Sequence, residues 1–288
     1  MSSAKETNGR FVDVNIVDNF YQASAFVPMS FALVTTVHDN GETGIGPHAL
    51  VFPFGITPPY SMMLISRHNS GTAVNIRRNG KCALNYVPFD RERFQGIANL
   101  GYPGMPLEEK RKANPYTLID SPTPEKAADP DYPDIVAESF QVFECTWDDR
   151  FGLHDMQDDK GQAYESHFNL HIDRILVQKE YAPGIEKGDV FPDMPVFCGF
   201  RPATGFWFAQ THPPFGVPLP KVEGTQSQHI FYVGNRIDSR VQFTREACEK
   251  LSGIPRPFLE EALGGIVERA LEDGIAEVDE AYLAKIRK

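Results

Sequence analysis

Short apolar runs divided by turn residues fill the first two-thirds of the chain. Residues 31–38 read Phe-Ala-Leu-Val-Thr-Thr-Val-His and stop at the turn Asp39-Asn40-Gly41. A second run, Gly46-Pro-His-Ala-Leu-Val-Phe52, leads through Thr57-Pro58-Pro59 into a third, Tyr60-Ser-Met-Met-Leu-Ile65. Residues 82–86, 135–147, 166–178 and 196–210 continue the series. Each run has strand length, is rich in β-branched or aromatic residues, and is bounded by Gly, Pro, Asn or Asp. One short helix is predicted among them, over 73–78, closed by Asn79-Gly80. Many short strands with dense turn signals predict an antiparallel sheet or barrel.

The remaining segments have other textures. Residues 11–17 alternate like a half-buried strand, and 20–28 read as a linker or short helix. From 88 to 133 prolines recur, so no central strand is expected there, only helices over 90–100 and 107–113. This long excursion reads either as a functional lid or as an arm that wraps a partner subunit. The acidic stretch 148–161 is spaced somewhat like a calcium loop. Its glycine, Gly161, comes one place late and no closing Glu follows, so a solvated turn is the reading. Residues 182–195 read as a loop and 224–234 as a connection onward.

After residue 243 the period changes. Thr244 is placed to cap a helix, and apolar residues at 258, 259, 262, 263, 266, 267, 270 and 271 form a helical stripe. Gly274 ends that helix and residues 280–286 form another. So small a helical unit, over 241–288, is expected to bury its stripe on the barrel or on a partner subunit.

Composition narrows the function classes. A net charge of −11 over 288 residues, with no long Lys/Arg run, makes nucleic acid an unexpected partner. The basic cluster Lys110-Arg111-Lys112 follows Glu108-Glu109 and reads as a solvated helix face. No apolar run reaches membrane-span length and the first residues lack the apolar core of a signal peptide, so a cytoplasmic protein is expected. Cys82, Cys145, Cys198 and Cys248 are widely spaced, against a thiolate metal site or a disulfide scaffold. Cys82 and Cys145 read as small core residues.

The candidate chemistry lies where the third strand feeds the first helix. Ser66, Arg67, Asn69, Ser70 and Thr72 surround a helix start, where unpaired N–H groups and the positive dipole end can hold a phosphate. The same residues also suit an ordinary N-cap. Downstream, His167, Asn169 and His171 share a strand face. Two histidines four apart would suit a metal on a helix, but their Phe, Leu and Ile neighbours favour a strand. No metal site is expected.

The ordered series resembles the flavin reductase-like FMN-binding split barrel. It comprises a Val-Thr-Thr strand, an acidic-Gly turn, a small-residue strand, Pro-Pro, a strand, Ser-x-Thr, Asn-Ile, Gly, and a strand ending in Asn. It continues at 138–145, at Ser166-His167 and over 195–218, so it spans roughly residues 20–220. The fold implied is mainly β: a split barrel over 11–222 with flanking helices and a small helical domain behind it. Residues 243–288 are similar to the small C-terminal helical domain found in light-independent protochlorophyllide reductase. Their Phe-Thr-x-Glu-Ala, Leu-x-x-Ile-Pro and Glu-x-Tyr-Leu segments carry that likeness.

The resemblance implies FMN, with its phosphate at Ser66, Arg67, Asn69, Ser70 and Thr72 and its ring along Gly46, Pro47, His48, Ala49, Leu50 and Val51. Asn75 and Asn85 would order these segments, and His167 would lie near the flavin as the catalytic candidate. The C-terminal helical unit is expected to supply no flavin-binding atoms. Ile172 stands where the family often has glycine, which puts a strand bulge there in question. A homodimer with flavin near its interface is implied, with NAD(P)H as co-substrate, a small organic substrate, and a partner oxygenase as one recipient of reduced flavin. The alternative is a flavin- or tetrapyrrole-binding accessory protein without turnover. No Walker, Rossmann or G-x-S-x-G pattern competes with these readings.

Overall fold

The strands pair as the hydrophobic runs predict. A computed structural model describes residues 5–6, 11–17, 19–102, 105–150, 155–201, 205–217, 225–254 and 256–286. The main sheet contains β1 (Ala32–Val37), β2 (Thr43–His48), β3 (Val51–Gly55), β4 (Ser61–Arg67), β5 (Lys81–Tyr86), β6 (Gln141–Trp147), β7 (Asp155–Gln157) and β8 (Ala163–Val177). Their order is β2-β1-β5-β6-β8-β4-β3, with β7 also on β8, and every pair is antiparallel.

This order forces the sheet to close. β2 and β3 are opposite edges, yet only Ala49 and Leu50 connect them. Seven strands laid flat would set those edges ~29 Å apart, far beyond the reach of two residues. The sheet therefore curls until its edges meet, giving an antiparallel split barrel. The single strand expected over 46–52 is thus two strands, because the chain must leave one edge and join the other at Ala49-Leu50. The Leu50 carbonyl accepts from the Ile65 amide at 3.0 Å, which ties the corner to β4.

Inside, Val34, Leu64, Ile76, Leu84, Phe168 and Leu170 form the barrel core, with Cys82 and Cys145 buried among them as free thiols. The helix that follows β4, α1 (Gly71–Asn79), starts at the Ser70 cap and ends at Gly80 in the left-handed region, φ 73°. A bulge does occur near Ile172: Glu144 pairs with Arg174 but Cys145 with Ile172, leaving Asp173 over. Asp173 is held there by Lys126 at 2.6 Å and Thr146 at 2.7 Å, so the bulge needs no glycine.

Other expectations change. Of residues 11–17 only Val12–Asp13 pairs as strand, against Lys5–Glu6. β9 (Pro195–Arg201) and β10 (Gly205–Gln210) form their own two-stranded ribbon instead of closing the barrel. Its bridge to the rest is Met29–Phe197, and its aromatic rings pack on Phe31 and Phe94. The acidic stretch turns as expected at 158–161, with Asp158 accepting from the Lys160 and Gln162 amides, but Asp155–Gln157 within it is the strand β7. Residues 151–154 lie outside the described residues.

The excursion is built on α2 (Phe94–Gly101) and α3 (Leu107–Ala113) and is pinned by buried and half-buried polar groups. Glu144, fully buried on β6, accepts from the hydroxyls of Ser121 and Thr123, the latter at 2.8 Å. Arg93 bridges to Glu138 at 2.8 Å, and Glu138 also accepts from the Thr117 amide. Asn85 donates to the Leu33 carbonyl at 2.8 Å and accepts from the Val136 amide at 2.9 Å, tying the end of the excursion to the sheet.

Residues 216–288 form a second compact unit. It contains α4 (Thr225–Gly234), α5 (Arg245–Leu251), α6 (Arg256–Glu272) and α7 (Glu280–Ile286). Thr244 caps α5, accepting from the Ala247 amide at 3.1 Å. The connection expected over 224–234 is a helix, because Ile230 and its neighbours Phe231 and Val233 complete the unit's core. Leu259, Leu263, Val267 and Ala270 of the predicted stripe are buried within the unit itself. No helix of the described residues is long and apolar enough to cross a membrane.

Glu144→Ala is expected to leave two buried hydroxyls without their acceptor, at a cost of about 3 kcal/mol. The urea midpoint should fall accordingly, and limited proteolysis should cut first between residues 88 and 133. An unchanged midpoint would show that Glu144 does not anchor the excursion.

Candidate functional site

One large cleft of ≈ 1450 Å³ lies between the barrel and the excursion. Its floor begins at the β4–α1 turn. Ser70 Oγ accepts from the Ala73 amide at 3.0 Å and pairs with Ser66 Oγ at 2.7 Å. The Ser70 amide donates to the Arg67 carbonyl at 3.0 Å. These bonds satisfy the cap and leave the Gly71 and Thr72 amides without an acceptor among the described residues. Arg67 lines the cleft, exposed and with no ion-pair partner among the described residues. The N-cap and the anion-site readings are therefore compatible: one serine caps while two amides stay open.

A second network fixes this turn from below. Arg77 donates to Ser166 Oγ at 2.8 Å and to the His68 carbonyl at 2.5 Å, and Ser166 donates to Asp155 at 2.6 Å. The network requires β8 to begin beside the turn, which the pairing of Ser66 with Ser166 supplies.

The wall beside the anion end is β2. As an edge strand it leaves one row of backbone N–H and C=O groups unpaired in the sheet. Gly46 faces α1 closely: a Cβ there would stand 3.1 Å from Thr72 Oγ1 and 3.4 Å from the His48 ring. His48 Nε2 meets Thr72 Oγ1 at 3.0 Å, and burial pushes the His48 pKa down from 6.5 to about 4. The imidazole is therefore neutral at pH 7 and places no charge in the cleft.

Of the residues predicted for the site, Gly46, Pro47, His48, Ala49, Leu50, Ser66, Arg67, Asn69, Ser70 and Thr72 line this cleft. Val51 does not; it points into the barrel core. Asn75 stands behind, donating to Thr36 Oγ1 at 3.0 Å and to His38 Nδ1 at 3.2 Å. His167 also lies off the lining. It pairs with Glu165 at 2.5 Å, and Glu165 is the residue that borders the cleft.

Sequence reading missed His38. Its ring lines the cleft beside the start of α1, 3.7 Å from where a Gly71 Cβ would be. The Asn75 amide donates to Nδ1, so the neutral ring carries its proton on Nε2. Burial lowers the His38 pKa, and the Arg111 guanidinium adds to that effect. The reading also put the whole basic cluster in solvent, but Leu107, Lys110, Arg111 and Asn114 all face the cleft. Their spacing of 0, 3, 4 and 7 along α3 was the available signal. Arg111 pairs with Glu42 of the β1–β2 turn, which fastens α3 across the opening.

No group of three or more His, Cys, Asp or Glu side chains among the described residues could hold a metal ion.

Because His48 takes its proton near pH 6.5 when unfolded and only near 4 when folded, the unfolded chain binds the extra proton between those values. Stability is thus expected to fall as pH drops from 6.5 towards 4, by about 2 kcal/mol once solvent access to the ring is allowed for. His48→Gln should flatten this part of the stability–pH curve; an unaltered slope would show that other groups set it.

No family model matches the chain, and neither does any curated protein sequence. Solved structures do. Nitrilotriacetate monooxygenase component B from Bacillus cereus matches with TM-score 0.54 and 16% identity, over 75% of this chain and 100% of that one. The 2-nitrobenzoate 2-nitroreductase NbaA of Pseudomonas fluorescens matches with TM-score 0.51 and 16% identity, over 68% and 87%. An FMN-binding protein from Thermus thermophilus matches with TM-score 0.51 and 13% identity, over 72% and 98%. None of these three is a protochlorophyllide reductase, and identities this low speak to fold alone. The curled antiparallel split barrel with flanking helices is the fold that this chain shares with these solved structures.

Proposed function

We propose that the protein is an FMN-dependent oxidoreductase whose cleft holds the flavin phosphate at the start of α1 and the flavin ring along β2. The observation that carries this is the pair of open amides, Gly71 and Thr72, beside the unpaired Arg67 guanidinium. Two backbone donors, a helix dipole and a fork-shaped cation suit a phosphate dianion.

The ring wall fits a flat heterocycle. Gly46 lets the β2 backbone approach without a side chain in the way, and its free edge offers N–H and C=O groups in one plane. Pro47 interrupts that row by lacking a donor, so the neighbouring amides would define the register of any ring. His48, neutral and bonded to Thr72, would join the phosphate end to the ring end. Bound flavin would supply hydride chemistry, and the protein would supply binding, orientation and exclusion of water.

NAD(P)H is the proposed reductant, a homodimer the proposed assembly, and a partner oxygenase one proposed recipient. The last has its support in the fold shared with a nitrilotriacetate monooxygenase component B. FMN is favoured over FAD because, among the described residues, open helix-start amides and a free guanidinium come together at one place in the cleft, the start of α1.

The purified chain reconstituted with flavin is expected to retain FMN at one per chain, seen by absorbance and by chromatography of the heat-released cofactor. Arg67→Ala should weaken FMN binding by about 1.5–3 kcal/mol, the usual worth of a hydrogen bond to a charged group. Riboflavin, which lacks the phosphate, should bind the variant and the parent alike. Equal losses for both ligands would mean that Arg67 acts through folding. Reduction of bound FMN by NADH or NADPH in stopped flow separates turnover from storage.

A further inference from the structure

The cleft is larger than the cradle described for a flavin, and its far wall has chemistry of its own. We propose that α3 carries a binding site for the carboxylate of a small, flat organic acid, clamped between the ammonium of Lys110 and the carboxamide N–H₂ of Asn114. The proposal rests on the flavin reading only for what the acid would lie beside.

Lys110 and Asn114 are four residues apart and both face the cleft. Lys110 lies in the last turn of α3 and Asn114 is its C-cap, one turn further on, a spacing that sets side chains about 6 Å apart at Cβ, so they can take the two oxygens of one carboxylate. Both are unengaged as donors. Among the described residues the Lys110 ammonium has no ion-pair or hydrogen-bond partner, although Glu108 and Glu109 adjoin it in sequence. Asn114 accepts from the Tyr116 amide through Oδ1 at 3.1 Å, which fixes the carboxamide and leaves Nδ2 as its free end.

The electrostatics favour an anion here. Burial lowers the Lys110 pKa, so its charge is partly stripped of water and lacks a counter-charge. Its neighbour Arg111 cannot serve the ligand in its place, being spent on Glu42. Arg111 and Lys112 in the last turn of α3 also offset the negative end of its dipole. Asp120 and Asp134 border the same cleft and disfavour a second negative charge, which points to a monocarboxylate.

The surroundings define the rest of the ligand. Phe31, Tyr102, Tyr116 and Phe208 line the cleft, and Phe208 is stacked on Phe94 at 4.6 Å between centroids. Ring walls of this kind bury a planar, conjugated frame well. The wall is also fixed, because the excursion is held by Glu144, Glu138 and Asn85.

The probe is benzoate, with benzamide as its uncharged counterpart, titrated calorimetrically into the full chain with and without FMN. Lys110→Met should weaken benzoate about tenfold or more and leave benzamide unchanged. Lys110→Arg should restore most of the loss. Asn114→Asp keeps the acceptor for the Tyr116 amide but removes the donor, and should abolish benzoate binding while melting like the parent. FMN affinity should stay the same in all three variants. Benzoate binding equally well to Lys110→Met, or not binding the parent at millimolar concentration, would overturn the proposal. So would loss of FMN but not riboflavin affinity in Lys110→Met, since that would give Lys110 to the cofactor phosphate. If the chain binds no flavin yet benzoate binds through Lys110, the flavin reading fails and this site stands.

Discussion

The two-residue corner Ala49-Leu50 is the constraint from which the rest of the barrel follows. It joins strands at opposite edges of the sheet, so the sheet has to curl. Curling brings β2 round as an edge whose outer backbone is not paired in the sheet, and it sets that edge beside the start of α1. The close approach of Gly46 to Thr72 is the local mark of this meeting. An open edge and an open helix start are each ordinary features of a fold. Brought together at one corner they form a cleft with a charged end and a flat, polar side.

A second set of interactions decides what covers the cleft. Polar side chains on the sheet act as fixed anchors: the fully buried Glu144 for Ser121 and Thr123, the fully buried Asn85 for Val136, and the exposed Asp173 for Lys126. Each is satisfied by several partners, which is the condition under which a buried polar group orders its surroundings without a large penalty. They hold a proline-rich segment that has little regular structure of its own. The excursion thereby becomes a wall with a defined inner face, and Arg111 on Glu42 closes it against the β1–β2 turn.

Much of this was legible in the sequence. The strand runs at 31–38, 60–65 and 82–86, the Ser70 cap, the Gly80 stop and the Thr244 cap all follow from local chemistry, and the structure has each of them. The break at Ala49-Leu50 was not legible, since one apolar run continues through it and only sheet topology divides it. The Val12–Asp13 strand was overestimated because alternation alone supplies no pairing partner. Helix α4 was missed because Gly224 and Gly234 bracket it like a linker, while its burial depends on partners distant in sequence. His38 and the inner face of α3 were hidden for a related reason. Their roles arise from what the closed barrel sets opposite them: His38 has no motif, and the 0, 3, 4, 7 spacing on α3 marks a face without saying what it faces.

The central claim is that phosphate recognition and ring recognition occupy two separate backbone segments that meet at this corner. Amide NMR of the full chain during titration tests it directly, with FMN in one series and riboflavin in the other. The Gly71 and Thr72 amides should shift strongly with FMN and little with riboflavin, while the amides of Gly44, Ile45, Gly46, His48, Ala49 and Leu50 should shift with both. Shifts at Gly71 and Thr72 of equal size for both ligands, or none along β2, would contradict the account.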